Sequence, residues 1–195
     1  MESHAMQQIS EYAGAFYNHM EGIFRPEDRD LALELAGALG LTVQEIRFTA
    51  TSRPIIALHP NGEDKDPTNN VFFLVPMPEG QQKVLDPLKA KIASDLELDA
   101  AIAEFREAAH MMPPLMPHFG LRYRSSAELK AVTDRIGNGL SPALKARVGL
   151  FEVPHYAPVE GLPDIRQVFV TTDVFTIGTA GFEQAIELQV DRARP

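Results

Sequence analysis

HMEGIFR (His19–Arg25) and HFGLRYR (His118–Arg124) share the form H-x-x-x-x-[FY]-R, and each runs into a segment with a helical apolar stripe. Side chains alternate across a strand, so the first copy puts His19, Glu21 and Ile23 on one face and Met20, Gly22 and Phe24 on the other. Pro26 then opens a helix with Glu27, Asp28 and Asp30 in its first turn, where carboxylates complement the helix dipole. Leu31, Leu35 and Ala38–Leu39 recur at the helical period, and Gly40 ends the helix. Thr42–Ala50, Pro54–His59 and Val71–Val75 read as three strands, with the polar Asn61–Asn70 as a turn.

The second copy is followed by the same order. Ser126–Ile136 reads as a helix capped by Ser125 or Ser126, and Gly137, Gly139 and Pro142 mark the turn after it. Arg147–Val153, Arg166–Thr171 and Phe182–Val190 complete three strands. The expected class is α+β, with a βαβββ module at residues 18–76, a helical insert at 77–117 and a second βαβββ module at 118–191. The insert has helix-like composition from Gln81 to His110, with interruptions expected at Pro87 and near Asp95–Asp99, and MMPPLMP (Met111–Pro117) makes a stiff connector. Its Leu/Ile stripe suits either a cap on a site or a homodimer interface. Residues 1–17 read as a tag remnant, MESHA, followed by an arm from Gln7 to Tyr17 that is either a short helix or extended.

Composition narrows the function classes. The chain has 195 residues, 45% of them hydrophobic, and no apolar run of membrane-spanning length. Zero cysteines exclude disulfides, thiolate metal sites and cysteine nucleophiles, and fit a cytoplasmic protein. A net charge of −9 without any basic run argues against nucleic acid or an anionic membrane surface as partner. The expected partner is a small-molecule substrate. There is no G-x-S-x-G, Walker loop, dinucleotide fingerprint or H-E-x-x-H.

The most demanding stretch is GFEQAIELQV (Gly181–Val190), which puts Glu187 in the middle of a mostly apolar strand. A carboxylate there, if buried, is costly unless something positive meets it. Arg122 and Arg147 are candidates for pairing with it, and exposure to solvent is the other resolution. Arg122 shares the face of His118 and Gly120, where its charge suits a substrate carboxylate or an internal acid such as Glu21.

His19 with ALGL (Ala38–Leu41), His118 opening the second module, and AIELQ (Ala185–Gln189) closing it resemble the vicinal oxygen chelate superfamily. This superfamily includes glyoxalase I, extradiol dioxygenases, hydroxyphenylpyruvate dioxygenases and bleomycin-resistance proteins. The resemblance covers most of Asn18–Val75 and His118–Val190 and leaves out the insert. It implies two modules pairing their sheets into an open cup-shaped mixed sheet, with a metal ion held by His19, His118 and Glu187. Two imidazoles and one carboxylate on one triangular face suit Fe(II) with open positions for substrate and oxygen; Zn, Mn or Co are the other metals such a site takes. The family often has another acidic ligand in the fourth strand of the first module. VFFLV (Val71–Val75) has an apolar residue instead, expected at Phe72, which points to the three-ligand type.

The resemblance further implies that His155 could serve as an acid/base group beside bound oxygen. Gln167, Gln184 and Gln189 are candidates for orienting a ligand or substrate. The expected activity is that of a mononuclear non-haem Fe(II) dioxygenase acting on a catecholic or 2-oxo-acid substrate. The alternatives are a lyase or isomerase using Zn, Mn or Co with Glu183 or Glu21 as base, and a metal-free binding or resistance protein.

Overall fold

The computed structural model describes residues 19–47, 49–50, 54–66, 70–154, 164–178 and 184–191. In the first half β1 (His19–Phe24) leads through a 3-10 turn (Pro26–Asp28) into α1 (Arg29–Ala38), followed by β2 (Thr42–Ile46), β3 (Ile55–His59) and β4 (Val71–Pro76). The insert is a helical hairpin, α2 (Glu79–Ser94) and α3 (Leu96–Met111), with a second 3-10 turn at Pro113–Leu115. The second half comprises β5 (His118–Arg122), α4 (Ser126–Asn138), the short α5 (Pro142–Lys145), β6 (Val148–Glu152), β7 (Ile165–Thr172), β8 (Phe175–Thr176) and β9 (Gln184–Asp191). The class is α+β with two mixed sheets, neither of them a closed barrel, ordered β2-β3-β4-β1-β8 and β5-β9-β7-β6.

Both halves place their first strand parallel to their last: β1 runs beside β4 and β5 beside β9. A parallel pair cannot be closed by a tight turn, so each needs a crossover, which α1 and α4 supply. The helices bury their stripes on one side of the sheets. Ala32, Leu35 and Leu39 meet Leu129, Val132 and Ile136, with Phe24, Leu74, Phe119, Ile186 and Leu188 beneath them. Gly22 makes room for this layer, because the Phe72 ring lies where a Cβ at position 22 would stand, 2.9 Å away at Cζ. Gly40 has φ of +81°, the left-handed conformation that ends α1 without a Cβ penalty.

Polar contacts lock the two halves together. Tyr123 donates its hydroxyl hydrogen to the Leu39 carbonyl at 2.9 Å, and Arg135 Nε donates to the Ala38 carbonyl at 3.1 Å, so the second half satisfies orphan acceptors at the end of α1. Arg147 grips buried Asp28 with two bonds, of 2.5 and 3.0 Å, and Asp173 with one of 2.8 Å. These bonds raise the Arg147 pKa, Asp28 contributing most.

Several expected boundaries shift. Pro87 lies inside α2 without ending it; the hydrogen bond it forfeits, to the Lys83 carbonyl, falls on the exposed side of the helix. The hairpin breaks at Asp95, where the second interruption was expected, and the Asp95 side chain caps α3 by accepting from the Leu98 N–H. β2 stops at Ile46, short of Ala50, and β5 stops at Arg122, short of Arg124. The two-residue β8, absent from the sequence reading, crosses to the first sheet and pairs with Ile23–Phe24 of β1. Among the described residues no helix is long and apolar enough to cross a membrane. The arm at residues 1–17 lies outside the described residues.

Candidate functional site

The face of the second sheet away from α1 and α4 carries the polar cluster. Phe119 and Leu121 of β5 turn towards the helices, so His118, Gly120 and Arg122 take the opposite side. Register aligns them with Ala185, Glu187 and Gln189 of β9, and β7 adds Thr171, Phe169 and Gln167 in the same rows. α3 lies against β6, and the Pro113–Leu115 turn against β7 and β9. The ring of His110, at the end of α3, would meet a Cβ on Gly149 of β6 at 3.5 Å. The insert thus reaches over this face, which is why Glu187 is only 7% exposed and Phe169 1%.

Each group of the cluster has a defined hydrogen-bonding role. His118 Nδ1 is 2.7 Å from the Met116 carbonyl, an oxygen that can only accept, so Nδ1 carries the proton and donates it. In the neutral ring Nε2 then holds a lone pair, and it lies 3.5 Å from Oε2 of Glu187. The other carboxylate oxygen, Oε1, accepts from Gln167 Nε2. Phe169 fixes the imidazole further by an edge-on contact, with ring centroids 5.2 Å apart. Gly120 keeps the carboxylate uncovered on its β5 side, since a Cβ there would stand 3.5 Å from Oε2 and 3.6 Å from Gln189 Nε2.

The sequence candidates are therefore only partly brought together. His118 and Glu187 meet, and Gln167 orients the carboxylate as a supporting group. Arg122 is exposed on the same face, in register with Gln189. Arg147 is committed to Asp28 and Asp173 and is not the partner of Glu187. Gln184 serves the local backbone, accepting from Ile177 N–H and donating to the carbonyls of Ala185 and Pro117. His19 stands on β1 of the other sheet with Glu21, and its ring meets Phe73 edge-on at 5.8 Å. Among the described residues no group of three or more His, Cys, Asp or Glu is close enough to hold a metal ion. His155 and Glu183 lie outside the described residues.

Register also corrects one assignment. Glu187 pairs with Gly120, two residues after His118; the matching pair in the first sheet is Glu21 with Phe73. Phe73, and not Phe72, is therefore the counterpart of Glu187. Phe72 has the opposite parity and packs into the core against Phe119 at 4.9 Å. Either residue is apolar, so the first sheet has no acid at the position equivalent to Glu187.

Sequence reasoning missed Met116, Phe169 and Thr171. The alternation of β7 could have found the last two, because Gln167, Phe169 and Thr171 share a face; the carbonyl of Met116 has no sequence signal. A cavity of about 200 Å³ lies elsewhere, at the first sheet, lined by Phe24, Pro26, Arg29, Glu45 and Ile56 among others. None of the described candidate residues borders it.

No family model and no curated protein matches the chain. Among solved structures, that of a hypothetical protein from S. aureus is similar over 93% of this chain and 98% of that one, with 9% sequence identity and a TM-score of 0.41.

Proposed function

We propose that this chain is a metal-dependent enzyme of the vicinal oxygen chelate type: two βαβββ modules forming an open cup, with a mononuclear Fe(II) site that serves a dioxygenase reaction on a small catecholic or 2-oxo-acid substrate. The observation that carries the reading is the approach of His118 Nε2 to Glu187 Oε2 at 3.5 Å, with Nδ1 turned to the Met116 carbonyl. An exposed imidazole facing a largely buried carboxylate is a donor set for a divalent ion. A carbonyl accepting from the far nitrogen is the usual support for a metal-binding histidine, and Met116 provides it.

His118 and Glu187 would hold the ion from neighbouring strands, and His19, at the matching register position of β1, would supply the third ligand. When bound, Fe(II) would polarise chelating substrate oxygens and offer a position to O₂. The chain's own groups do the positioning. Gln167 holds Oε1 and so aims Oε2 at the site; Met116 accepts from the imidazole Nδ1; Gly120 leaves the approach open; Arg122, exposed on the same face, would pair with a substrate carboxylate.

The test is elemental analysis of protein purified without oxygen and reconstituted with Fe(II), for the wild type and the His118→Ala, Glu187→Ala and His19→Ala variants. The expected result is one equivalent of iron in the wild type, lost in all three variants, with oxygen uptake on a catechol or a 2-oxo acid. Identical metal content in wild type and Glu187→Ala overturns the site. Oxygen-independent turnover with zinc or manganese would mark a lyase or isomerase instead. A metal-free protein whose affinity for small aromatics survives His118→Ala would be a binding protein.

A further inference from the structure

The insert is built like half of a helix bundle. Leu85, Leu88 and Ile92 of α2, and Leu98, Ile102, Phe105 and Ala109 of α3, recur at alternating steps of three and four, the spacing of a seam between paired helices. α2 packs on α3, and α3 in turn reaches β6 and the Pro113–Leu115 turn. Leu85 and Ala109 are the buried residues of the two helices. Leu88 and Leu98 stay 43% exposed and Phe105 41%, so pairing with one neighbour leaves the seam half open.

One flank of the hairpin faces the body. On α2, Lys89 borders the space around Arg25 and Asp173, and Asp86 pairs with Arg25 at 2.9 Å. On α3, Ala109 is fully buried and the His110 ring comes up against Gly149 of β6. Residues three and four apart share a helical face, so the flank away from the body carries Val84, Leu88 and Lys91 on α2, and Ala101, Phe105 and Ala108 on α3. Val84 is 64% exposed, and Ala101 and Ala108 are exposed beside it. Seam positions plus one flanking apolar row give the width of face that a bundle helix turns to several neighbours. The two edges of this face differ in charge. Lys91 bounds it on α2, with its i,i+4 partner Asp95 at 3.4 Å. Glu97 and Glu104 bound it on α3 and form no ion pair among the described residues.

We propose that this open face docks a second copy of the chain, the two hairpins closing into a four-helix bundle about a two-fold axis that runs along the helices. Charge decides the occupant and the arrangement. With α2 of one copy beside α3 of the other, Lys91 meets the edge of Glu97 and Glu104, and two-fold symmetry makes that contact twice. The other pairings set Lys91 against its own copy, or the acids against theirs. Neighbouring helices then run antiparallel throughout, as in up-and-down bundles, and Leu88, Leu98 and Phe105 leave water. The interface uses none of the proposed metal ligands, so either reading can fail without the other.

The experiment is sedimentation equilibrium of the full chain at concentrations up to about 100 μM. The expected species has twice the 21.5 kDa mass of one chain. Ala101→Glu with Ala108→Glu puts carboxylates into the face at positions that are exposed in the single chain. It should leave the circular dichroism unchanged and weaken association at least about a hundredfold. Lys91→Glu, and separately Glu97→Lys with Glu104→Lys, should each weaken association about tenfold, because like charges then meet at both edges. Mixing these two variants should restore the dimer, since each altered edge then meets its opposite. A monomer over the whole range overturns the proposal, whichever other segment or protein covers the face. A dimer indifferent to the Ala101→Glu, Ala108→Glu change overturns it too, as do edge variants that have no effect or fail to recover on mixing.

Discussion

Replacing Glu187 with Gln changes one carboxylate oxygen into an amide and leaves the side-chain volume almost untouched, which isolates the facing lone pairs. In the wild type Oε1 accepts from Gln167 while Oε2 confronts His118 Nε2 at 3.5 Å. In the variant the amide oxygen can keep the Gln167 bond and the amide nitrogen can donate to His118 Nε2. One buried hydrogen bond is then gained, worth about 0.5–1.5 kcal/mol, and an uncompensated buried acceptor is removed, worth about as much again or somewhat more. The metal-free protein should therefore become more stable by about 1–3 kcal/mol, a Tm rise of roughly 2–10 °C for a chain of this size. The assay is calorimetric unfolding at pH 8 with a chelator present, above the ordinary imidazole range. The same variant should bind Fe(II) at least about tenfold more weakly, because an amide is a poorer ligand than a carboxylate for a divalent ion. A metal-free variant less stable than wild type at pH 8 would refute the reasoning, since it would mean that the carboxylate was already satisfied in the wild type.

The remaining predictions concern the frame. Gly22→Ala drives a methyl to 2.9 Å from Phe72 Cζ and 3.2 Å from Leu74 Cδ2 in the core, and should cost about 1–3 kcal/mol by denaturant titration. Tyr123→Phe removes the bond to the Leu39 carbonyl and should cost about 1 kcal/mol with little change in m-value. His59 is fully buried and bonded through Nε2 to Gln44 at 3.0 Å. Burial holds its pKa below the ordinary value, with Asp64 and Asp66 opposing and Lys65 assisting. The unfolded chain then takes up the proton first, so stability falls as pH drops below about 6.5 towards the depressed folded value. His59→Gln should flatten that part of the pH–stability curve; an unchanged slope would show that other groups set it.

Much of the frame was legible because its signals are local. Alternation in HMEGIFR and HFGLRYR gave both first strands, Gly40 gave the end of α1, and the order of elements followed. What failed depended on context. Phe72 and Phe73 are chemically identical, and only the register of β4 against β1 tells which one faces the His19 side. Pro87 looks like a helix breaker, but the bond it sacrifices lies on an exposed surface. β8 is too short for any periodicity, and it exists because β1 has an open edge to receive it. At the site, the nearness of His118 and Glu187 comes from the pairing of β5 with β9, and before the structure only the family resemblance implied it. The Met116 carbonyl arises from tertiary placement that no residue pattern encodes, whereas a cap was one of the two roles that the insert's Leu/Ile stripe suits.

The two parallel strand pairs have an experimental use. At one and the same step of the ladder the second sheet sets Gly120 beside Glu187, and the first sets Glu21 beside Phe73. The acid has changed strands, and an aromatic ring fills the place it holds in the other half. One molecule therefore carries two versions of the same strand pairing, one with a carboxylate on its last strand and one without it. Grafting the pair from one sheet onto the other, as Glu21→Gly with Phe73→Glu, asks whether strand pairing alone is enough to bring His19 to a carboxylate as it brings His118 to Glu187.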